Sequence, residues 1–136
     1  MKVFFDNCTS PVLAETLNGF LRHRNHSATH IRDLPCGRHA SDVEWMSFLQ
    51  NESNDWIVIT GDGRIQKNRA ERVVFRQAKL RGFVLAPGYQ KTPVHQIASN
   101  LIWRWPDIET FISQVGGGSL FKLPMGKAGK FEQMPL

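Results

Sequence analysis

Apolar residues follow two alternating rhythms along this chain. Val3-Phe4-Phe5, Trp56-Ile57-Val58-Ile59-Thr60 and Phe83-Val84-Leu85 are short solid runs, the pattern of strands buried on both faces. Between them the spacing turns helical. Ser10-Pro11 supplies an N-cap and a proline for the first helical position, and Leu13, Leu17, Phe20 and Leu21 form one buried stripe. Ala28-Thr29-His30-Ile31 predicts a weaker strand, followed by a turn-rich stretch with Pro35 and Gly37. A second helix is expected from Ser41 to about Gln50, burying Trp45, Phe48 and Leu49. A third should run from about Arg64 to Arg81, with Ile65, Val73, Val74 and Ala78 inward, and stop at Gly82. Two more are expected over residues 93–103 and 106–115, separated at Trp105-Pro106 because the residue before proline resists the helical region.

Strand and helix in alternation imply a mostly parallel sheet of four to five strands covered on both faces, a three-layer α/β/α domain. Gly116-Gly117-Gly118 then releases the chain. The expectation is therefore one domain over residues 1–115, with 116–136 a glycine-rich hinge and tail, either mobile or laid along a surface by Leu120, Phe121 and Leu123.

Composition adds limits. With 136 residues, 41% of them hydrophobic, the chain can bury a single core without staples. No run of about 18 apolar residues exists, which argues against a membrane helix. Asp6 arrives too early for a secretory apolar segment, so a cytoplasmic location is the expectation. Cys8 and Cys36 lack a CxxC partner and read as reduced bystanders. His23, His26 and His30 leave a helix and enter a strand, so no common face for zinc is assured.

The net charge of +5 matters because it is localised. Arg64, Lys67, Arg69, Arg72, Arg76, Lys79 and Arg81 are opposed within that span by Glu71 alone. A polyanion, either nucleic acid or an acidic protein, is a plausible partner; a solvated helix face is the plainer alternative. Trp103 and Trp105, flanking Arg104, could stack on bases but read more simply as core or interface aromatics.

The chemistry sits at the strand ends. Asp6 and Asp62 each close an apolar strand that leads into a helix, and in a parallel sheet such ends lie on one edge. Asp33 and Asp42, with Glu44 close by, fall near the same edge. Clustered carboxylates suit Mg²⁺ or Mn²⁺, which could activate water and stabilise the oxygens of a phosphate displacement. Asp33, beside Arg32, reads better as a turn or ion-pair residue. Thr60 could orient a carboxylate or a phosphate through its hydroxyl, although a β-branched strand residue needs no such role.

Phe4-Phe5-Asp6-Asn7-Cys8-Thr9-Ser10-Pro11, then Ser41-Asp42-Val43-Glu44-Trp45, then Ile57-Val58-Ile59-Thr60-Gly61-Asp62, together resemble the PIN-like domains of toxin-type ribonucleases over residues 1 to about 86. The resemblance implies an α/β/α fold and a divalent metal held for RNA cleavage by Asp6, Asp42 and Asp62. It also implies the toxin half of a type II toxin–antitoxin pair, with RNA and a cognate antitoxin as partners, and leaves homodimerisation open. Arg69, Arg72, Arg76 and Lys79 are the first candidates for contacts to the RNA backbone. Two departures stand out. Many relatives carry a fourth acid after the Thr-x-Asp turn, whereas Gly63, Arg64 and Ile65 follow here and the next acid is Glu71. Ser41-x-x-Glu44 is also a capping box, which gives Glu44 a structural role; Asp42 and Glu44 point about 200° apart on a helix, so Asp42 is the preferred ligand and Glu44 the alternative.

Other classes compete. Haloacid-dehalogenase-like phosphatases also open with a strand and Asp, but their second aspartate would fall at Cys8. A non-catalytic module docking an acidic partner through the basic helix, and a nuclease acting on DNA, remain the alternatives to a ribonuclease.

Overall fold

A computed structural model describes residues 1–52, 55–61 and 63–136; Asp62, a candidate metal ligand by sequence, lies outside the described residues. The elements in chain order are β1 (Lys2–Phe5), α1 (Pro11–Leu21), β2 (Ser27–His30), α2 (Asp42–Asn51), β3 (Trp56–Thr60), α3 (Arg64–Lys67), α4 (Arg69–Gln77), β4 (Arg81–Leu85), α5 (Val94–Ile112), β5 (Ser119–Leu123) and β6 (Glu132–Met134). The strands form one sheet in the order β2-β1-β3-β4-β5-β6. The first five are parallel, and β6 returns antiparallel to β5.

Because strand side chains alternate, the same runs feed two cores. Val3, Phe5, Ile57, Ile59, Phe83 and Leu85 face α1 and α5, where Leu17, Leu101, Trp105 and Ile108 are buried. Phe4, Val58 and Val84 face the other way, onto Trp45, Met46 and Leu49 of α2 and Phe75 of α4. The result is the α/β/α layering expected from the alternation, with six strands where four to five were anticipated. Among the described residues no helix is long and apolar enough to cross a membrane.

Three local expectations are corrected. The basic segment is two helices, divided at Asn68, whose extended backbone ends α3 and whose side chain caps α4 by accepting from the Glu71 N–H. It stops well before Gly82. Lys79 takes a left-handed φ of 55°, its N–H donates to the Arg76 carbonyl, and the Leu80 N–H reaches back to Phe75. That is a Schellman ending built on lysine, closed by apolar Leu80 and Phe75. Phe75 is the buried anchor, whereas Val73 and Val74 are only half-buried. Gly82 lies inside β4, where a Cβ would overlap the Val58 carbonyl oxygen.

The second correction concerns Pro106, which sits inside a continuous α5. Its ring removes the donor that would serve Ile102, a cost of about 3 kcal/mol or more. Burial of Trp105, Ile108 and Ile112 on either side of it offsets that cost at roughly 1.5–3 kcal/mol per large apolar side chain. Third, the stretch anticipated as hinge and tail supplies β5 and β6. Leu120, Phe121 and Leu123 are buried there, and Arg104 and Asn100 of α5 donate to the carbonyls of Gly126, Gly129 and Met125 in the loop between the two strands.

Candidate active site

Asp6 follows β1 directly and is 4% exposed. Its carboxylate is held from two sides. Oδ1 accepts the Cys8 N–H at 3.1 Å, an Asx-type turn, and Oδ2 accepts the hydroxyl of Thr60, the fully buried last residue of β3. Parallel pairing explains the second contact, since Phe5 is in register with Ile59 and the next residues of both strands are Asp6 and Thr60. Of the two roles open to Thr60, orienting a carboxylate is the one observed.

The loop after Asp6 is stitched further. Thr9 donates its N–H and hydroxyl to the Asp6 carbonyl at 3.1 and 2.7 Å. His30, at the end of β2, meets the Thr9 carbonyl through Nε2 at 3.0 Å while its Nδ1 accepts the Arg32 N–H at 3.2 Å. This pairing puts the ring proton on Nε2. Gly61 completes the fit, because a Cβ there would overlap the Cys8 carbonyl oxygen. Sequence reasoning treated His30 as a weak zinc candidate; its work is to fix the loop that carries Asp6.

The second acid comes from the start of α2. Ser41 caps the helix by accepting the Glu44 N–H at 3.2 Å, and the Glu44 carboxylate accepts the Ser41 N–H at 3.4 Å. Glu44 is thus engaged as the cap and is exposed. Asp42 accepts the indole N–H of Trp45 at 2.9 Å. Trp45 is itself fixed, buried with its ring centroid 4.4 Å from that of Phe4 in β1. One aromatic contact therefore couples the strand that delivers Asp6 to the helix that delivers Asp42.

Asp6 and Asp42 line a common cleft of about 330 Å³. Glu71 and Arg64 line it too, with Arg64 donating to the Cys8 sulfur at 3.6 Å. In the sequence Glu71 stood out only as the single acid of the basic run and the next acid after the Thr-x-Asp turn; its place in the cleft follows from where the fold sets the start of α4. Glu44 and Asp33 are not among the cleft's lining residues, and Asp33 instead lies 3.6 Å from the Arg32 guanidinium.

The basic candidates lie elsewhere on the surface. Arg72 donates to the Gln66 carbonyl at 3.2 Å and Arg76 to the Leu136 carbonyl at 3.0 Å, while Arg69 and Lys79 are exposed; none of the four lines the cleft. Arg81, counted with the basic run, is tied to Asp55 and to the Ile112 carbonyl at the end of α5. Trp105 is fully buried and Arg104 nearly so, whereas Trp103 is 64% exposed.

The acids Asp6, Asp42 and Glu71 bring carboxylate oxygens to the cleft, the donor type that suits a hard divalent cation, beside the Asn7, Cys8 and Ser41 side chains. Among the described residues no group of three or more His, Cys, Asp or Glu side chains is placed to hold a metal ion.

Open parallel α/β sheets bind their ligands beyond the carboxyl ends of the strands, where these acids lie. The model of the PIN like domain family matches residues 1–87, and the chain belongs to that family. Its members are usually nucleases and generally use divalent metals, so membership supports nuclease activity in general. No curated protein and no solved structure matches the chain.

Proposed function

We propose that this protein is a divalent-metal-dependent endoribonuclease, hydrolysing RNA phosphodiester bonds as the toxin of a toxin–antitoxin pair and held in check by a cognate antitoxin. The observation that carries the reading is the meeting of Asp6 and Asp42, far apart in sequence, in one cleft at the carboxyl edge of the sheet. Asp6, Asp42 and Asp62 would hold Mg²⁺ or Mn²⁺, in a cleft that Glu71 also lines. When bound, the cation supplies Lewis acidity and neutralises charge developing on the phosphate oxygens.

The chain's own residues do the positioning. Thr60 and the Cys8 N–H fix one carboxylate, and Trp45 fixes the other. Glu44 keeps the start of α2 in place without entering the cleft. Arg64 brings a guanidinium to the cleft wall, where it would meet a substrate phosphate. Arg69, Arg72, Arg76 and Lys79 would raise the local concentration of RNA around the molecule through their summed field.

Cleavage of RNA and of DNA, each with and without Mn²⁺, tests the reading. RNA cut only in the presence of Mn²⁺ is the expected result. Preferential cutting of DNA would make this a DNA nuclease. Cutting of neither would favour a module that docks an acidic partner through α4.

A further inference from the structure

A second depression, of about 390 Å³, adjoins the acidic cleft and shares Arg64 with it. Its chemistry differs. Val84, Leu85, Pro87 and Met134 give it apolar walls, and Arg64, Lys67 and Lys122 bring the charge. No carboxylate occurs among its described lining residues. Glu132, which faces Lys122 across the β5–β6 pair, is outside that lining. The amides of Gln66 and Gln90 add hydrogen-bonding groups able both to donate and to accept.

Proteins hold single-stranded nucleic acid by pairing a positively charged groove with side chains, most often aromatic, on which bases lie; here the aliphatic Val84, Leu85, Pro87 and Met134 supply the apolar surface. Duplex has no exposed base face to offer such a surface. Here the depression lies next to the carboxylates and is joined to them by an arginine. Lys122 reaches it because β5 pairs with β4, placing Lys122 beside Val84. Neither Lys122 nor Met134 falls within the family match, which ends at residue 87.

We propose that this depression is a nucleotide subsite for single-stranded RNA, seating the nucleotide next to the scissile phosphate, with Lys67 and Lys122 contacting its flanking phosphates. The inference rests on the nuclease reading above and adds to it a location and two binding residues. It also divides the positive charge by role. The arginines of α4 attract at long range, whereas Lys67 and Lys122 make the contact.

The test compares wild type with a Lys67→Gln, Lys122→Gln double variant of the full chain in Mn²⁺, on a short single-stranded RNA and on bis(p-nitrophenyl) phosphate. The small diester has no flanking nucleotide to fill the subsite. For RNA, KM should rise roughly tenfold with kcat nearly kept, and the slope of log kcat/KM against log salt should flatten by about 1.4, two phosphate contacts at about 0.7 each. Hydrolysis of the small diester should be unchanged. Lys122→Arg, which keeps the charge, should retain the wild-type slope. Wild-type KM and slope in the folded double variant would overturn the subsite while leaving the nuclease reading standing. A wild-type protein that cleaves neither substrate would overturn both.

Discussion

Two tryptophans in this molecule each give an indole N–H to an acid on their own helix, and the two acids differ in everything else. Trp45 donates to Asp42 at 2.9 Å, and Trp105 donates to Glu109 at 2.8 Å. Glu109 is then matched by opposite charge. Arg24 grips it through two nitrogens at 3.0 and 2.6 Å, and His26 lies 3.9 Å away. The Arg24 hydrogen bond, helped by Trp105, holds the Glu109 carboxyl below the usual glutamate range against the opposing effect of burial. This seam fastens α5 to the end of α1. Asp42 shares its cleft with Asp6 and Glu71, acids of its own sign, and with Arg64. Matched charge makes a fastening; on the proposed function, gathered like charge is what a cation would neutralise. The tryptophan is common to both, so it is the acid's other neighbours that separate structure from chemistry.

The largest effect should come from the acids at the strand ends. Asp6→Asn and Asp62→Asn should each lower Mn²⁺-dependent cleavage by roughly 10²–10³, the scale on which single preorganised electrostatic groups act, while circular dichroism shows a folded protein. Wild-type rates in either folded variant would remove that aspartate from the site.

Next come the two acids of α2. Asp42→Asn should lose much of the activity with little change in melting temperature, because an amide oxygen can still accept from Trp45. Glu44→Ala should keep activity and lose about 0.5–2 kcal/mol of stability in denaturant titration, the scale of a helix cap. An exchange of those results would make Glu44 the ligand.

The smallest effect belongs to the seam. Glu109→Gln should leave cleavage intact and cost about 0.5–1 kcal/mol, the scale of a partly exposed ion pair. A depressed folded-state carboxyl contributes stability above its unfolded value, here near the ordinary 4.5, and loses it as pH falls through the lower folded value. The stability gap between wild type and Glu109→Gln should therefore be present at neutral pH and close in acid. A gap that widened on acidification would contradict the assignment.

Much of this was legible in the sequence because local signals and tertiary fold agree. The run Trp56–Thr60 is β3, and Ser41 with Glu44 marked the start of α2 through a capping box that forms. Parallel strands placed Asp6 at the carboxyl edge of the sheet, and the family resemblance, not strand geometry, singled out Asp42 at the start of α2. The misses arise where distant packing overrules a local rule. A lysine ends α4 because Leu80 and Phe75 close the turn, and α5 runs through Pro106 because residues on both sides of it are buried. The strand Ser119–Leu123 follows three glycines and reads as a tail until β4 offers it an edge. Glu71 and His30 were beyond reach for a related reason, since only the folded chain brings α4 to the cleft wall and β2 to the loop after Asp6.

The most direct test is the initial rate of cleavage of one single-stranded RNA, with and without Mn²⁺, by wild type, Asp42→Asn and Glu109→Gln at neutral pH. The account predicts that wild type and Glu109→Gln cut at similar rates only when Mn²⁺ is present, and that Asp42→Asn, though folded, does not. Equal rates in all three proteins, or a loss in folded Glu109→Gln as deep as that in Asp42→Asn, would contradict it.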